Sequence, residues 1–431
     1  MADFQSFEIK KVNARQIIDS RGKPTVECDV ITAEGKGRAA VPSGASRGRH
    51  EALELRDKGK KFLGASVTKA VRNIETKIAP CIKGVDCRDQ ERIDNSMIEL
   101  DGTESKKNLG ANAMLAVSLA VAKAAANSAN VPLFTHLTER RTYVLPIPIM
   151  NLINGGAHAG NELAVQEFWI LPIGARDFPE AIQMGCEIYY SLEDTLEKRF
   201  GRSATNVGDE GGFAPPLSKT DQTMEILTDV VEKSGYELGE EIFLGLDAAA
   251  NDFYSQKEKQ YKIDKKFLRG DEMIEFYKNL VSRYPIIAIE DPLYEEDFEG
   301  FSELTKKLGK KCLIVGDDIF VTNPYRLQQG VESGAGNSLI LKVNQIGTLT
   351  ETLEVVHMAK KADYKMIVSH RSGETTDTFI SDLSVAINSG MIKAGAPARG
   401  ERTCKYNRLL RIHEQLEKPK YPDISLFPKG E

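Results

Sequence analysis

The chain has 431 residues, 41% of them hydrophobic and 28% charged, a composition ordinary for a globular protein. Its 57 basic and 63 acidic residues give a net charge of −6, which excludes a broad electrostatic attraction to nucleic acid or to an anionic membrane. The length allows two or three domains, or one barrel with an appended domain.

Neither export nor a membrane span is predicted. Residues 1–11 mix acidic and basic side chains without an apolar core, unlike a secretory signal. The most membrane-like stretch, 109–126, is mostly alanine and contains Asn112, Ser118 and Lys123, so a close-packed helix is favoured. The six scattered cysteines include no Cys-x-x-Cys pair, which argues against a zinc site or a disulfide framework. Reduced thiols in a cytoplasmic protein are the simplest interpretation.

The N-terminal third predicts a small α+β domain. Apolar and polar residues alternate in short runs over 4–41, which is typical of an antiparallel meander. A flexible loop rich in serine, glycine and arginine follows at 42–49. Helical periodicity is found at 65–78, 89–100 and 111–127. Strands followed by helices in this way predict a compact domain over residues 1–140.

From residue 141 onward, apolar strands alternate with amphipathic helices. The predicted strands are 147–152, 164–170, 242–246, 286–289, 313–315, 338–341, 366–368 and 391–392. The helices predicted between them include 178–199, 271–283, 298–308, 349–361 and 375–388. This alternation predicts an α/β fold, a (β/α)8 barrel over 141–431. The first two strands are joined by a loop too short for a crossover helix, so a hairpin should make the barrel irregular there.

Charged side chains follow the predicted barrel strands. The carboxyl ends of barrel strands meet at one rim, where active sites lie. The residues at these ends are Asp247, Glu290, Asp291, Asp317, Asp318, Lys342, His370, Arg371, Ser372 and Lys393. The acids of successive strands would repel one another in one pocket unless a cation lay among them. Oxygen ligands in this number suit Mg²⁺ or Mn²⁺.

Three further segments add polar groups. His158 lies among small residues at 155–160, and Gln166 and Glu167 interrupt a strand-like run. Glu210 lies in a Gly-Asp-Glu-Gly-Gly sequence, where the backbone can approach a ligand closely. Taken singly, each has a simple structural explanation as a turn or a strand-end cap. No phosphate-binding Walker loop, dinucleotide fingerprint or Ser/His/Asp elbow is found.

Lys342 lies inside a short apolar run. Burial disfavours the ammonium and lowers the pKa of a lysine, whereas a strand-end lysine can also pack its stem and keep its head in water. A metal-binding trio opposite a desolvated lysine suits removal of a proton next to a carboxylate. Divalent cations would stabilise the dianionic intermediate. Arg371, Lys393 and His158 suit an anionic group such as phosphate.

Motifs along nearly the whole chain resemble the enolase family. They are Ser-Arg-Gly at 20–22, Pro-Ser-Gly-Ala-Ser at 42–46, Asn-Gly-Gly-Ala-His-Ala-Gly at 154–160, Gln-Glu-Phe at 166–168, Gly-Asp-Glu-Gly-Gly at 208–212, Ile-Glu-Asp-Pro at 289–292, Leu-Lys-Val-Asn-Gln-Ile-Gly-Thr at 341–348 and Ser-His-Arg-Ser-Gly-Glu-Thr at 369–375. The last two are highly specific to that family. The resemblance implies the glycolytic, reversible dehydration of 2-phosphoglycerate to phosphoenolpyruvate with two Mg²⁺ per site. A lysine or histidine base paired with Mg²⁺ is already established for this superfamily.

The resemblance also implies residue roles. Lys342 is the expected base at C2, and Glu210 is the expected acid at the departing 3-hydroxyl, assisted by Glu167. The expected catalytic set is Glu210, Lys342, Glu167, His158 and His370. The expected substrate contacts are His158, Gln166, Glu167, Lys342, His370, Arg371, Ser372 and Lys393. The expected metal ligands are Asp247, Glu290 and Asp317, with Ser43 of the first loop binding the second ion.

The first loop departs from the family in carrying Arg47 and Arg49, which we expect to alter its closure or its affinity for anions. Two alternatives remain open: another acid-sugar or muconate-type enzyme of the superfamily, and a reused scaffold with a binding role. The family implies a homodimer, with an octamer as the alternative, and an additional surface role such as plasminogen binding is left open.

Overall fold

The structure is a computed structural model that describes residues 4–45 and 48–428. Its N-terminal region contains an antiparallel sheet. Its strands are β1 (Lys11–Ile18), β2 (Pro24–Ile31) and β3 (Lys36–Ala40), and they pair in that order. This pairing confirms the predicted meander. The expectation for Arg47 in the following loop lies outside the described residues.

The helices of this region pack on the sheet or on one another. They are α1 (Phe4–Phe7), α2 (Thr68–Asn73), α3 (Ala79–Ile82), α4 (Gln90–Asp101), α5 (Ala111–Ser128) and α6 (Leu133–His136). The helix predicted from residue 65 begins at Thr68 and passes through a π-helical turn, Ile74–Ile78. The alanine-rich α5 packs closely on β2 and β3. A Cβ at Gly37 would lie 1.9 Å from the carbonyl oxygen of Ala120, so only glycine allows this approach.

The remaining strands are β4 (Ile147–Asn154), β5 (Glu167–Leu171), β6 (Phe243–Asp247), β7 (Tyr254–Ser255), β8 (Gln260–Ile263), β9 (Lys266–Leu268), β10 (Ile286–Glu290), β11 (Leu313–Gly316), β12 (Ser338–Leu341), β13 (Lys365–Ser369) and β14 (Gly390–Lys393). Eight of them close a barrel in the order β4-β5-β6-β10-β11-β12-β13-β14. The predicted barrel is therefore confirmed. The small sheet β7-β8-β9 lies outside it and was not predicted.

The helices of this region are α7 (Phe178–Phe200), α8 (Thr220–Lys233), α9 (Gly270–Arg283), α10 (Phe298–Leu308), α11 (Pro324–Ser333), α12 (Val343–Ile346), α13 (Leu349–Lys361), α14 (Phe379–Ala386) and α15 (Gly400–Gln415). The predicted helix at 375–388 is shorter than expected. Its first turn is instead a loop, because the Thr375 carbonyl accepts a hydrogen bond from Lys405 and Asp377 accepts one from the Phe379 backbone N–H. In the described part of the chain, no helix is long and apolar enough to cross a membrane.

One strand of the barrel runs against the others. β5 is antiparallel to both β4 and β6, which confirms the predicted hairpin, while the other neighbouring strands are parallel. Because of this reversal, the amino end of β5 lies at the same rim as the carboxyl ends of its neighbours. Glu167, the first residue of β5, pairs in register with Asp247, the last residue of β6.

Polar contacts join the N-terminal elements to the barrel. Lys123 of α5 binds Asp377 at 2.7 Å, and the carboxylate of Asp94 accepts a hydrogen bond from the backbone N–H of Thr350 at 3.0 Å. Ser43 pairs with Gly373 through two backbone hydrogen bonds of 2.8 Å. The first loop therefore lies against the barrel rim.

Candidate active site

A pocket opens at the carboxyl end of the barrel. It is lined by eleven of the predicted site residues, His158, Gln166, Glu167, Glu210, Asp247, Asp317, Lys342, His370, Arg371, Ser372 and Lys393. Glu290 also reaches this site through its contact with Lys393. Residues of the four barrel strands β5, β6, β10 and β14, and of the loops at the same rim, thus meet in one place.

Lys393 is a buried cation among three carboxylates. Its ammonium nitrogen lies 2.9 Å from Asp247 Oδ2, 2.9 Å from Glu290 Oε2 and 3.1 Å from Glu167 Oε1. Burial alone would lower the pKa of Lys393, but the three carboxylates outweigh it and raise that pKa well above its usual range. Lys393 is therefore charged and neutralises part of the acidic cluster.

Lys342 faces the pocket and forms an ion pair with Asp317. The alternative of a lysine head in bulk water is thereby excluded. The expectation that burial lowers the pKa of Lys342 is wrong for this pairing, because the attraction of Asp317 outweighs burial and raises the pKa. The other oxygen of Asp317 accepts a hydrogen bond from Gln345 Nε2 at 2.9 Å.

Asp247 and Glu290 end neighbouring strands, and Asp317 directly follows the next strand. Two observations show that this trio fits a divalent cation. Burial and the neighbouring Asp247 raise the pKa of Glu290 well above its usual range, so positive charge is needed to keep these acids ionised together. Glu290 Oε1 is buried and lacks a hydrogen-bond partner among the described residues. Carboxylate oxygens of this kind are what Mg²⁺ prefers.

A second acidic set lies beside the trio. Oxygens of Asp291, Asp317 and Asp318 lie within 4.8 Å of one another. The Asp291 carboxylate accepts the backbone N–H groups of Asp317 at 2.9 Å and Asp318 at 2.8 Å. Asp291 therefore shapes the turn after β11 that carries Asp317, a role that the sequence analysis did not assign.

Glu167, Glu210 and His158 form a buried cluster whose polar atoms lie within 4.8 Å of one another. Burial and the neighbouring Glu210 raise the pKa of Glu167 well above its usual range. Burial acts in the same direction on Glu210, but the ring N–H groups of His370 and His158 and the ammonium of Lys393 outweigh it and lower the pKa of Glu210. The two carboxyl groups therefore titrate as a coupled pair, and a proton held by the pair favours Glu167 over Glu210.

Two side chains outside the predicted set hold these acids. Trp169 Nε1 donates to Glu167 Oε2 at 2.8 Å, and Asn151 Nδ2 donates to Glu210 Oε2 at 3.2 Å. Both lie on the hairpin strands β4 and β5. The alternation of side chains along those strands could have suggested that Asn151 and Trp169 point inward.

Arg371 is bound by the carboxylate of Glu51, which lies just after the first loop. Glu51 Oε1 lies 3.0 Å from Arg371 Nη2, and Glu51 Oε2 lies 3.2 Å from Nη1. Gln345 Nε2 also donates to Glu51 Oε1, at 3.3 Å. Nothing in the local sequence around Glu51 indicates this contact, because its partner lies 320 residues further along the chain.

Ser43 lies away from the pocket lining. Its hydroxyl donates to Glu54 Oε2 at 3.0 Å and accepts from Arg56 Nη2 at 3.1 Å. In this conformation the hydroxyl is thus engaged within the N-terminal elements. Ser372, by contrast, lines the pocket, and its hydroxyl oxygen accepts the backbone N–H of Ala45 at 2.7 Å.

The fold and the site define a barrel enzyme with buried acids and lysines at its carboxyl rim. Models of two families described as "Enolase, N-terminal domain" and "Enolase, C-terminal TIM barrel domain" match residues 9–137 and 142–425. A curated enolase of Thermococcus gammatolerans is 55% identical, with 98% of this chain and 97% of that protein covered. One of Methanocaldococcus jannaschii is 56% identical, with 97% of each covered. The chain belongs to the enolase family.

Proposed function

We propose that the rim pocket performs the enolase reaction of glycolysis, the reversible dehydration of 2-phosphoglycerate to phosphoenolpyruvate. The single observation that carries this proposal is the meeting of the partly buried Lys342 with the buried Glu167–Glu210 pair in one pocket. That pairing supplies a group to take a proton and a group to give one. Family membership over nearly the whole chain supports the same reaction.

In this proposal Lys342 removes the proton from C2. Asp247, Glu290 and Asp317 would hold Mg²⁺, which when bound supplies positive charge to the substrate carboxylate and stabilises the dianionic intermediate. A cation bound to Asp317 would also offset the negative charge of Asp317, and so weaken the attraction that raises the pKa of Lys342. The ammonium would then give up its proton more readily and become competent as a base.

Ser43 is the proposed ligand of a second Mg²⁺. Its hydroxyl must first leave Glu54, so this role requires a rearrangement of the first loop. We propose two ions per site on the family pattern, with the acidic trio as the tighter of the two sites because it offers three carboxylates.

The shared proton of Glu167 and Glu210 serves the leaving group. A departing hydroxyl needs a proton, and a carboxyl group kept neutral by burial can supply one at neutral pH. Glu210 contacts the hydroxyl in this proposal and Glu167 supplies the proton that the pair holds. The imidazoles of His158 and His370, 3.6 Å and 3.5 Å from Glu210, orient that carboxylate.

The proposed phosphate contacts are Arg371 and Ser372, with His158, Gln166, His370 and Lys393 completing the substrate site. Arg371 presents a planar fork that suits a phosphate, and Glu51 already occupies it as an anion. Phosphate binding therefore exchanges one anion for another at Arg371 and releases Glu51.

The test is turnover of 2-phosphoglycerate, followed by the ultraviolet absorbance of the enol product. We expect Mg²⁺-dependent turnover. An acid-sugar or muconate-type enzyme would leave 2-phosphoglycerate unchanged but act on a non-phosphorylated acid, and a reused scaffold would act on neither.

Residues 1–140 are proposed to form a capping domain on a catalytic barrel of residues 141–431. We also propose a cytoplasmic homodimer. Light scattering on the purified chain distinguishes this dimer from an octamer.

A further inference from the structure

A fully buried arginine of the last helix reaches the back of the site. Arg402 of α15 is 0% exposed. Its Nη1 lies 2.6 Å from His370 Nδ1 and 2.6 Å from the Arg371 carbonyl oxygen. Its Nη2 lies 2.6 Å from the Ser372 carbonyl oxygen and 2.9 Å from that of Asp209. The nearest carboxylate, Glu401, lies 3.5 Å from its Nε.

This geometry determines which nitrogen of His370 carries the proton. A guanidinium group has only donors, so the nitrogen it contacts must accept with a lone pair. Nδ1 of His370 is therefore unprotonated, and the proton of the neutral imidazole lies on Nε2. That Nε2 is 3.5 Å from Glu210 Oε2 and has no hydrogen-bond partner among the described residues.

The charged groups around His370, together with its burial, favour the neutral form of the imidazole. They are Arg402 at the Nδ1 side, Glu210 at the Nε2 side and Lys393, whose backbone carbonyl accepts the His370 N–H. Burial lowers the pKa of His370 to about 3, with Arg402 and Lys393 acting in the same direction and Glu210 opposing them. The Nε2–H group is thus a permanent donor at neutral pH.

The same guanidinium joins two loops. The Asp209 carbonyl precedes Glu210 directly, and the carbonyls of Arg371 and Ser372 belong to the loop proposed to bind phosphate. One side chain therefore sets the spacing between the proposed acid and the proposed phosphate contacts. Removal of the guanidinium would leave three carbonyl oxygens and one imidazole without this donor at the same time.

We propose that Arg402 is a positioning residue: it holds His370 as the Nε2–H tautomer directed at Glu210 and fixes the 208–211 loop against the 370–372 loop. The effect of Arg402 on catalysis rests on the proposed function, whereas its effect on the tautomer of His370 is independent of that function. A ligand atom that meets His370 must then be an acceptor, such as the oxygen of a departing hydroxyl.

The test is ¹⁵N NMR of the full-length chain labelled at histidine, with His370 assigned by comparison with His370→Gln. We expect Nδ1 of His370 to show a pyridine-like shift and Nε2 a pyrrole-like shift, unchanged from about pH 5 to pH 9. A pyrrole-like Nδ1, or titration of His370 in this range, would overturn the proposal. This measurement needs no variant of Arg402, and neither substrate nor metal.

Variants of Arg402 test whether this arginine is the cause of the His370 tautomer. In Arg402→Met, Nδ1 loses the donor that keeps it unprotonated, so the Nδ1 and Nε2 shifts should move toward each other, and the pKa of His370 should rise while burial still holds it below its usual value. Arg402→Lys keeps a group without acceptors and should restore the wild-type shifts if it reaches Nδ1. Arg408→Met is the matched control, because Arg408 lies on the same helix and binds Asp382 instead. It should leave His370 unchanged.

Activity gives a separate readout. We expect kcat to fall about ten-fold or more in Arg402→Met, with a smaller change in KM, and Arg408→Met to retain wild-type kcat. Unaltered His370 shifts in a folded Arg402→Met would refute the positioning role. A wild-type chain with the expected tautomer but no turnover of 2-phosphoglycerate would instead refute the proposed function alone.

Discussion

The carboxylate of Glu51 lies in the guanidinium fork of Arg371, with Oε1 3.0 Å from Nη2. A phosphate that binds through the same Nη1 and Nη2 groups must displace it. We predict that Glu51→Gln removes this competition and tightens the binding of inorganic phosphate about five-fold, or ~1 kcal/mol. Isothermal titration with phosphate measures this change. Glu296→Gln is the control, because Glu296 binds His50 outside the pocket. Weaker phosphate binding in Glu51→Gln would show that Glu51 supports the anion site instead.

Lys342→Ala should stop exchange of the C2 proton while the chain remains folded. The base contributes about 10² to 10⁴ in rate, and the loss should be in kcat. Exchange of the C2 proton of 2-phosphoglycerate with deuterated solvent, followed by NMR, measures the step directly. Lys365→Ala is the control, because Lys365 begins β13 at the opposite end of the strand from the rim. Normal exchange in Lys342→Ala would exclude Lys342 as the base.

Chelation by EDTA should abolish activity and Mg²⁺ should restore it. Because the carboxylates meet only in the folded chain, Mg²⁺ at 100 times its Kd should stabilise the fold by about 2.7 kcal/mol. Thermal unfolding with and without Mg²⁺ measures the shift. Asp247→Asn should reduce it, whereas Asp363→Asn, an exposed acid on the surface, should not. Turnover without metal would contradict the assignment of the trio.

Asp377 should stabilise the contact between the N-terminal elements and the barrel in a pH-dependent way. Burial opposes its ionisation, but Lys123 outweighs burial and lowers the pKa of Asp377. Its contribution is therefore present above about pH 4 and is lost as the pH falls through the lowered value. Asp377→Asn should cost about 3 kcal/mol at neutral pH, since Lys123 is left without its partner. Urea unfolding at about pH 7 and pH 3 measures this loss, and equal losses at both pH values would contradict it.

Asp94 should respond in the opposite way. Burial raises the pKa of Asp94. Among the described residues its carboxylate contacts Thr350 and Gln90 but no cation, so its charged form is unfavourable and stability falls as the pH rises through the raised value. Asp94→Asn should therefore be nearly neutral or stabilising at neutral pH. Gln90 can turn its amide and bring its unpartnered Oε1 to the new N–H₂ group.

Asp94→Ala is the comparison, because it removes the acceptor for the Thr350 backbone N–H at the start of α13. It should cost about 1 to 2 kcal/mol. Urea unfolding of both variants measures the contrast. A large loss in Asp94→Asn would show that the charge itself is required.

Strand periodicity accounts for the part of the site that could be predicted. Asp247, Glu290 and Lys393 end their strands, and Asp317 and Lys342 follow theirs directly, so their place at the rim follows from local pattern once a barrel is assumed. The hairpin was predictable because the loop after β4 is too short for a crossover. The helices α8, α11 and α15 were not assigned from the sequence, and neither was the sheet β7-β9.

Local sequence could not supply the contacts made between distant segments. Glu51 meets Arg371 and Arg402 meets His370 only because the first loop and α15 pack against the same rim. The charge state of Lys342 also depends on this packing: burial alone predicts a lowered pKa, but its pairing with Asp317 raises it.

The sequence by itself determined the barrel, the acids and lysines at its strand ends, and the membership in the enolase family. These features depend on the period of side chains along a strand and on motifs of a few residues. Only the tertiary structure decided that reversed β5 brings Glu167 to the rim, that Glu51 occupies Arg371 and that Arg402 sets the tautomer of His370. Those relationships depend on distances between segments far apart in the chain, which are fixed by the packing of the whole core.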